Sequence, residues 1–375
     1  MINTNTFGIL GQYYFNIKES FKSIYQNSNF YEKRISKTFN GGFEYKPSPH
    51  LLSSIIKYQN KKYKIEDFAI ESIWQNNLNS IDYEKLNNFF WFFSLDLKSS
   101  KKSTQSVISN WINNNNKYNK DSWEFDITAK RIIAWLSNHQ LTYEDSDKEY
   151  RLIFDHMIQK QTNHLLNEIK NPNEVENKMV GCAAIILTGL AYKNKKIYLE
   201  NGLNLLESII KSSIDNQGFP KSRNIKQLVF YLKYIIIIRE WFKESQNIIP
   251  EYIDETIYYL GSSYAFIYQN INNDIFFNGN YLSDNQEFNQ YLKRFGYTFK
   301  NEFKELAGYT ILRNKKIVLI MDIGSSPNKN FSKDYQAGAL SFEVISNQKK
   351  LITNSGYFSD KTSKLNKNND LLKNI

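Results

Sequence analysis

The sequence predicts an α+β fold, in which a long all-helical part is followed by the first strands of an antiparallel β-sandwich. The chain of 375 residues has only 15 glycines and 6 prolines, so few residues interrupt helices. Hydrophobic residues make up 41% of the chain, which is enough for a folded core. The period of the apolar side chains changes from helical to alternating near residue 305, and this change predicts where the strands begin.

The helical part is predicted over residues 51–295, after an irregular, aromatic N-terminal arm at residues 1–50. Apolar faces on both sides of segments such as 224–245 suit a double layer of helical hairpins. Asp126 is predicted to be the N-cap of the helix that follows it. A helical face is predicted to carry Leu86, Phe90, Phe93 and Leu97. Later helices are predicted at about 146–170, 176–192, 196–214, 224–245 and 250–271.

The β-part is predicted over residues 303–358 as two hairpins, with turns at Asn314-Lys315 and Ser346-Asn347. Four strands cannot easily close a sandwich. Partner strands are therefore expected on a missing segment, or else the edge of the sheet is exposed. The polar residues 359–375 are expected to be a disordered or cut tail.

A net charge of +10 has two interpretations. A basic surface attracts polyanions, whereas scattered lysines indicate a biased composition. The scattered pattern is the one observed, and it argues against nucleic-acid binding. The sequence shows neither a secretory signal nor an apolar run long enough to cross a bilayer. The single cysteine, Cys182, lies in an apolar run and is expected to be a buried thiol.

Five segments resemble the heparinase II/III family of polysaccharide lyases. Two lie in the helical part, WEFDITAKRIIAWLSNHQ from Trp123 and DNQGFPKSRN from Asp215. The β-part contributes GYTILRNKKIVLIMDIG, AGALSFEV and LITNSG. The resemblance implies an incomplete (α/α) toroid packed on a β-sandwich, with the substrate cleft between them, and a chain truncated within its sandwich. It also implies cleavage of acidic, uronate-containing glycans by β-elimination, without a cofactor.

That chemistry needs a group that neutralises the uronate carboxylate, a base that removes the C5 proton and an acid that protonates the leaving oxygen. By resemblance, Asn177 corresponds to the neutralising asparagine. The family's catalytic tyrosine is expected near Gln227, and Tyr231, one turn further on, is the nearest candidate. Gln336 occupies the position of a family histidine, where it could bind but could not transfer protons.

The substrate-binding residues that the resemblance suggests each have a simpler explanation. Arg223 could bind a carboxylate or sulfate, or could form an ion pair that closes its own loop. Asn278 and Asn280 could contact a ligand, or could simply form a turn. His139 follows a helix end, where capping explains it better than catalysis does. The complete predicted set is Asn177 and Tyr231 for catalysis, and Arg223, Asn224, Asn278, Asn280 and Gln336 for substrate binding.

Two functions therefore remain open at the level of the sequence. The first is a heparinase II/III-like lyase acting on an acidic polysaccharide. The second is a non-catalytic glycan-binding or cell-envelope protein that keeps the lyase fold, which the mismatches at Gln227 and Gln336 favour. The resemblance implies a location in the cell envelope or periplasm, although without a visible signal a cytoplasmic location stays open.

Overall fold

The structure is a computed structural model, and it describes residues 17–39, 41–53, 80–170, 174–192, 196–269, 271, 275–278, 285–333, 335 and 338–354. The chain divides into two compact units, Met1–Leu203 and Asn204–Ile375. This division falls inside the predicted helical part, within a helix that crosses it. The domain boundaries drawn from the sequence stay predictions.

The first unit consists of helices joined by loops over its described residues. α1 covers the described residues 17–26, and a short 3₁₀ helix at Phe90–Ser94 lies between α4 and α5. The other helices are α2 Asn29–Ile35, α3 Pro49–Ser53, α4 Ser80–Asn87, α5 Lys101–Asn114, α6 Phe125–Ser137, α7 His139–Thr142, α8 Lys148–Glu168, α9 Val175–Ala191 and α10 Lys196–Ser213, which continues into the second unit.

The centre of this unit is the pair α6 and α9, whose side chains are buried along almost their whole length. Two glycines of α9 allow close packing. A Cβ atom on Gly181 would lie 2.3 Å from the Phe125 ring of α6, and one on Gly189 would lie 2.5 Å from the backbone nitrogen of Leu199 in α10. Cys182 is buried as predicted, and its thiol donates to the Gly202 carbonyl at 3.0 Å.

Three local predictions in this unit are wrong. Glu124, and not Asp126, is the N-cap of α6, since its carboxylate accepts from the Asp126 and Ile127 nitrogens at 2.8 and 3.0 Å. The predicted helical face from Leu86 to Leu97 is interrupted because Phe89 adopts a left-handed conformation with φ of 58°.

The N-terminal arm is the third case, because residues 17–35 contain α1 and α2, whereas residues 36–39 and 41–48 are irregular as predicted. α2 is stabilised by Ser28, whose hydroxyl accepts from the Tyr31 nitrogen at 3.2 Å. Its buried side chains are Tyr31 and Ile35, four residues apart on one face. Two buried positions in a seven-residue helix are too few to stand out as a periodic pattern.

The second unit combines a helical hairpin with one antiparallel sheet, and the predicted fold class is confirmed. The sheet is a meander in the order β1-β2-β3-β4-β5. The helices are α11 Ile225–Glu244, α12 Glu251–Tyr268 and α13 Asn285–Arg294, and the strands are β1 Glu305–Leu306, β2 Tyr309–Arg313, β3 Ile317–Asp322, β4 Phe342–Ser346 and β5 Lys349–Ile352.

Both faces of this sheet carry apolar side chains. One face is buried and includes Tyr309, Ile311 and Ile320. On the opposite face, Leu312 and Leu351 remain 63% and 67% exposed. Apolar residues on both faces are typical of a sheet in a sandwich. The second hairpin turns at Asn347 and Gln348, both with positive φ, one residue later than predicted.

Within the described ranges, no helix combines the length and the apolar character that crossing a bilayer requires.

We expect Gly189→Ala to lower the free energy of unfolding by about 2 kcal/mol or more, because the new methyl group meets the α10 backbone, which cannot rotate away. The substitution is informative because alanine is favoured over glycine in a helix by about 1 kcal/mol. Urea denaturation measures the change. Gly42→Ala is the control, since a Cβ there meets no atom within 4 Å. Equal stability of the two variants would contradict the packing described.

Candidate functional site

A cavity of about 930 Å³ lies in the first unit, beside the N-terminal ends of α6 and α9 and the last turns of α8. Asn177, the predicted neutralising residue, is half-buried in the first turns of α9 and lines this cavity. The other described lining residues are Glu19, Ser20, Lys22, Ser23, Ile24, Gln26, Tyr118, Lys120, Trp123, Glu124, Phe125, His164, Glu168 and Glu174.

The position of Asn177 gives its amide a favourable electrostatic setting. The first backbone N–H groups of a helix have no partner within the helix, and they carry a partial positive charge. Glu174 precedes α9 but makes no side-chain capping bond to it. An anionic group in this part of the cavity would therefore meet both the Asn177 amide and the amino end of a 17-residue helix.

Tyr118 is a cavity residue that the sequence analysis missed. Its hydroxyl donates to Gln26 Oε1 at 2.8 Å. Burial and then the nearby Glu168 carboxylate raise the pKa of Tyr118 to about 12. The phenol is therefore protonated at neutral pH and can act as a proton donor. Tyr118 lies in a polar, asparagine-rich loop, where no periodic pattern distinguishes one tyrosine from another.

The loop before α6 is fixed by buried polar contacts. Arg131 of α6 is fully buried and donates to the carbonyl oxygens of Ser122 and Asn87, both at 2.9 Å. The Trp123 indole donates to the Asn115 carbonyl at 3.0 Å. Both ends of the segment that contains Tyr118 are thus tied to the helical core, and the cavity wall keeps its shape.

His164 forms part of the same wall, in a structural setting. Its Nε2 lies 2.8 Å from the Trp123 carbonyl, which accepts only, so that nitrogen bears the proton. Nδ1 therefore accepts from the Tyr31 hydroxyl at 2.7 Å. Burial lowers the pKa of His164 to about 4. With both nitrogens engaged, the neutral imidazole joins α2, α8 and the loop before α6.

The charges of the described lining are mostly negative. Four carboxylates, of Glu19, Glu124, Glu168 and Glu174, accompany the ammonium groups of Lys22 and Lys120. Lys22 and Glu168 form an ion pair at 2.7 Å, and the Glu124 carboxylate caps α6. This wall is therefore less attractive to a polyanion than the net charge of the chain suggests.

The second unit contains a buried polar network centred on Arg223. Its guanidinium group pairs with the buried Asp322 carboxylate of β3. Nε and Nη1 donate to the carbonyls of Ala307 and Ser325, both at 2.6 Å, and Nη2 donates to that of Gly308 at 3.1 Å. These contacts match the ion-pair alternative that the sequence left open for Arg223.

Asn278 belongs to the same network. Its amide nitrogen donates to the Tyr309 hydroxyl and to Asp322 Oδ2, the latter at 3.2 Å. The Tyr309 hydroxyl in turn donates to the Arg223 carbonyl at 2.8 Å. Gly308 and Gly324 border the guanidinium, and a Cβ on either would lie less than 3 Å from it. The sheet thus encloses Arg223 in a space that only glycines leave open.

The remaining predicted site residues are placed as follows. Asn224 is the N-cap of α11, since its side chain accepts from the Lys226 and Gln227 nitrogens at 2.9 and 3.4 Å. Tyr231 lies in α11 with only 1% of its surface exposed. Asn280 and Gln336 lie outside the described residues. The structure therefore joins Arg223 and Asn278 in one network and places Asn177 in the cavity of the other unit.

Among the residues that the structure describes, no three His, Cys, Asp or Glu side chains are grouped so that they could bind a metal ion.

We expect Asp322→Asn to lower the free energy of unfolding by about 3 kcal/mol or more, because it leaves the Arg223 cation buried without its counter-ion. Asp254→Asn provides the matched control, since Asp254 pairs with Arg239 at 2.5 Å but is 51% exposed. That variant should lose less than about 1 kcal/mol. Urea denaturation of both variants measures the difference. Equal losses in the free energy of unfolding would show that the buried ion pair stabilises the protein no more than the exposed one.

The lowered pKa of His164 predicts a dependence of stability on pH. Its folded-state pKa of about 4 lies below the ordinary 6.5, so its contribution is fully present above pH 6.5 and is lost as pH falls towards 4. The contribution is about 3 kcal/mol. In His164→Gln, whose side chain does not titrate, the free energy of unfolding should change less between pH 7 and pH 4. If the free energy of unfolding of His164→Gln depends on pH as strongly as that of the wild type, the lowered pKa of His164 is refuted.

Comparison with known families gives one match, in the C-terminal region. Residues 301–373 match the model of the heparinase II/III-like C-terminal family. This range contains all five strands of the sheet. No curated protein matches the sequence significantly.

Solved structures extend the similarity to most of the chain. "Crystal Structure of Heparinase III" matches with a TM-score of 0.61 and 16% identity, over 84% of this chain and 58% of that one. The heparan sulfate lyase HepC from Pedobacter heparinus matches with a TM-score of 0.55 and 14% identity, over 78% and 53%. The heparinase III BT4657 gene product matches with a TM-score of 0.59 and 14% identity, over 80% and 56%.

The chain therefore spans somewhat more than half the length of these proteins, and at such identities the likeness shows the fold. The resemblance predicted from the sequence motifs is confirmed. Residues 301–373 thus match the heparinase II/III-like C-terminal family, and the chain as a whole shares the fold of heparinase III.

Proposed function

We propose that this chain is a polysaccharide lyase that binds a uronate-containing glycan in the cavity of the first unit and cleaves it by β-elimination. The observation that carries the proposal is the position of Asn177, which the sequence resemblance identified and which lines the cavity described in that unit. A volume of about 930 Å³ is sufficient for a short oligosaccharide.

In this proposal Asn177 acts on the uronate carboxylate. A hydrogen bond from its amide, together with the positive end of α9, withdraws charge from the carboxylate and makes the C5 proton more acidic. A base then removes that proton. As the C4–C5 double bond forms, the C4–O bond breaks and the departing glycosidic oxygen takes up a proton.

We assign the supply of that second proton to Tyr118, whose hydroxyl lines the cavity and donates to Gln26 Oε1 at 2.8 Å. Its raised pKa of about 12 makes it a weaker acid than an ordinary tyrosine, so the proton would pass to the glycosidic oxygen only as negative charge develops there. Tyr231 stays the candidate base inherited from the resemblance. It lies in α11 of the second unit and is almost completely buried.

Two observations favour a second candidate, a non-catalytic glycan-binding protein with the same fold. Tyr231 is inaccessible in this structure, and carboxylates outnumber lysines in the described cavity lining. Such a protein would still use the half-buried amide of Asn177 to bind sugar. A location in the cell envelope or periplasm, where extracellular glycans are available, would suit either function.

The test is the ultraviolet absorbance of the unsaturated uronate product, followed with purified protein and a panel that includes heparan sulfate. We expect Asn177→Ala to reduce the rate about a hundredfold, by analogy with the loss of one oxyanion-binding donor. Asn201→Ala is the matched control, because that amide lies on α10 and bonds the Ile197 carbonyl at 2.8 Å. Binding of a glycan without any rise in absorbance would reject the lyase and support the second candidate. Neither binding nor product would reject both.

A further inference from the structure

Three apolar side chains of α1 are exposed at the surface of the first unit. Ile17, Phe21 and Ile24 are 40%, 69% and 69% exposed, and their spacing places them on one face of the helix. Helices of globular proteins normally turn such a face towards the core. Phe30, in α2, is 68% exposed. Its ring centroid lies 6.3 Å from that of Tyr25, which follows Phe21 by one turn.

The orientation of α1 is fixed by contacts on its opposite side. Lys22 forms an ion pair with Glu168 of α8 at 2.7 Å, and the buried Gln26 accepts from the Tyr118 hydroxyl at 2.8 Å. α2 is held by Tyr31, whose hydroxyl donates to His164. Polar and charged side chains thus attach α1 to the first unit, and α2 is attached by Tyr31 and Ile35, which are buried.

Cationic groups accompany this apolar surface. Lys18, Lys33 and Lys37 are exposed on or next to the two helices. Arg34 donates to the Tyr25 hydroxyl at 3.2 Å, which places its guanidinium beside the aromatic pair. The exposed carboxylate on α1 is that of Glu19. We call Ile17, Phe21, Ile24, Tyr25 and Phe30, with the cations Lys18, Lys33, Arg34 and Lys37, the α1–α2 ridge.

We propose that the α1–α2 ridge docks onto the surface of an anionic lipid bilayer. Bulky apolar side chains that project from the surface, with lysine and arginine next to them, have the composition of helices that lie in the interface of a membrane. The apolar side chains enter the boundary between headgroups and acyl chains, and the cations attract anionic lipids. This mode of binding requires no membrane-spanning helix, and it does not depend on the proposed activity of the cavity.

Cosedimentation of the 375-residue protein with vesicles tests this proposal. We expect binding to vesicles of phosphatidylcholine with phosphatidylglycerol, and much weaker binding to phosphatidylcholine alone. The double variant Phe21→Ser, Phe30→Ser should bind at least about tenfold more weakly, because each phenyl ring loses its apolar environment in the lipid. Ile248→Ser is the control for apolar exposure, since Ile248 is 92% exposed outside the ridge.

The cations provide a second, independent measurement. Lys18→Ser should weaken binding to the anionic vesicles about fivefold, and added salt should weaken the wild type. Lys300→Ser, at an exposed position in the second unit, should bind as the wild type does.

Three results would overturn the proposal. The first is the absence of a difference in binding to anionic vesicles between the wild type and the double variant, whether both bind or neither does. The second is a dimer in light scattering that the double variant dissociates, since the ridge would then contact a second copy. The third is a marked fall in the melting temperature of the double variant, since the ridge would then be covered by another part of the same chain.

Discussion

The buried guanidinium of Arg223 is the interaction on which the arrangement of the second unit depends. It connects the segment that starts α11 to three places in the sheet: the turn before β2, the carboxylate at the end of β3 and the loop after it. The residues on either side of Arg223 stabilise the start of α11. Ser222 donates to Gln227 Oε1 at 2.5 Å, and Asn224 caps α11. A positive φ of 60° at Arg223 directs the side chain into the sheet between these two helix-starting residues.

These contacts of Arg223 change how the Ser-Arg-Asn motif is understood. From the sequence, Arg223 could equally be a ligand for an anion or an internal ion pair. In the structure its donors are directed to carbonyls and to a buried carboxylate, and Tyr309 and Asn278 satisfy the groups around it. The chemistry proposed here therefore rests on the cavity of the first unit, which the half-buried side chains of Asn177 and Tyr118 line.

Long elements could be predicted from the sequence, and features set by single side chains could not. The ends of α8 to α12 lie within about three residues of their predicted positions, because repeated apolar positions determine them. The helix is interrupted at Phe89 because this one residue is left-handed. The N-cap of α6 could have been either of two nearby carboxylates, Glu124 or Asp126, and the pattern does not distinguish them. Asn177 could be found through a family motif. Tyr118 could not, because its role arises only when its loop is folded against α1 and α6.

The measurement that tests the central claim most directly is hydrogen–deuterium exchange of Arg223→Ala. If the guanidinium joins α11 to the sheet, the amides of β2, of β3 and of the first turn of α11 should lose protection together, while those of α6 and α9 keep theirs. Unchanged protection in β2 and β3, accompanied by loss of glycan binding, would contradict the account and return Arg223 to the role of a substrate ligand.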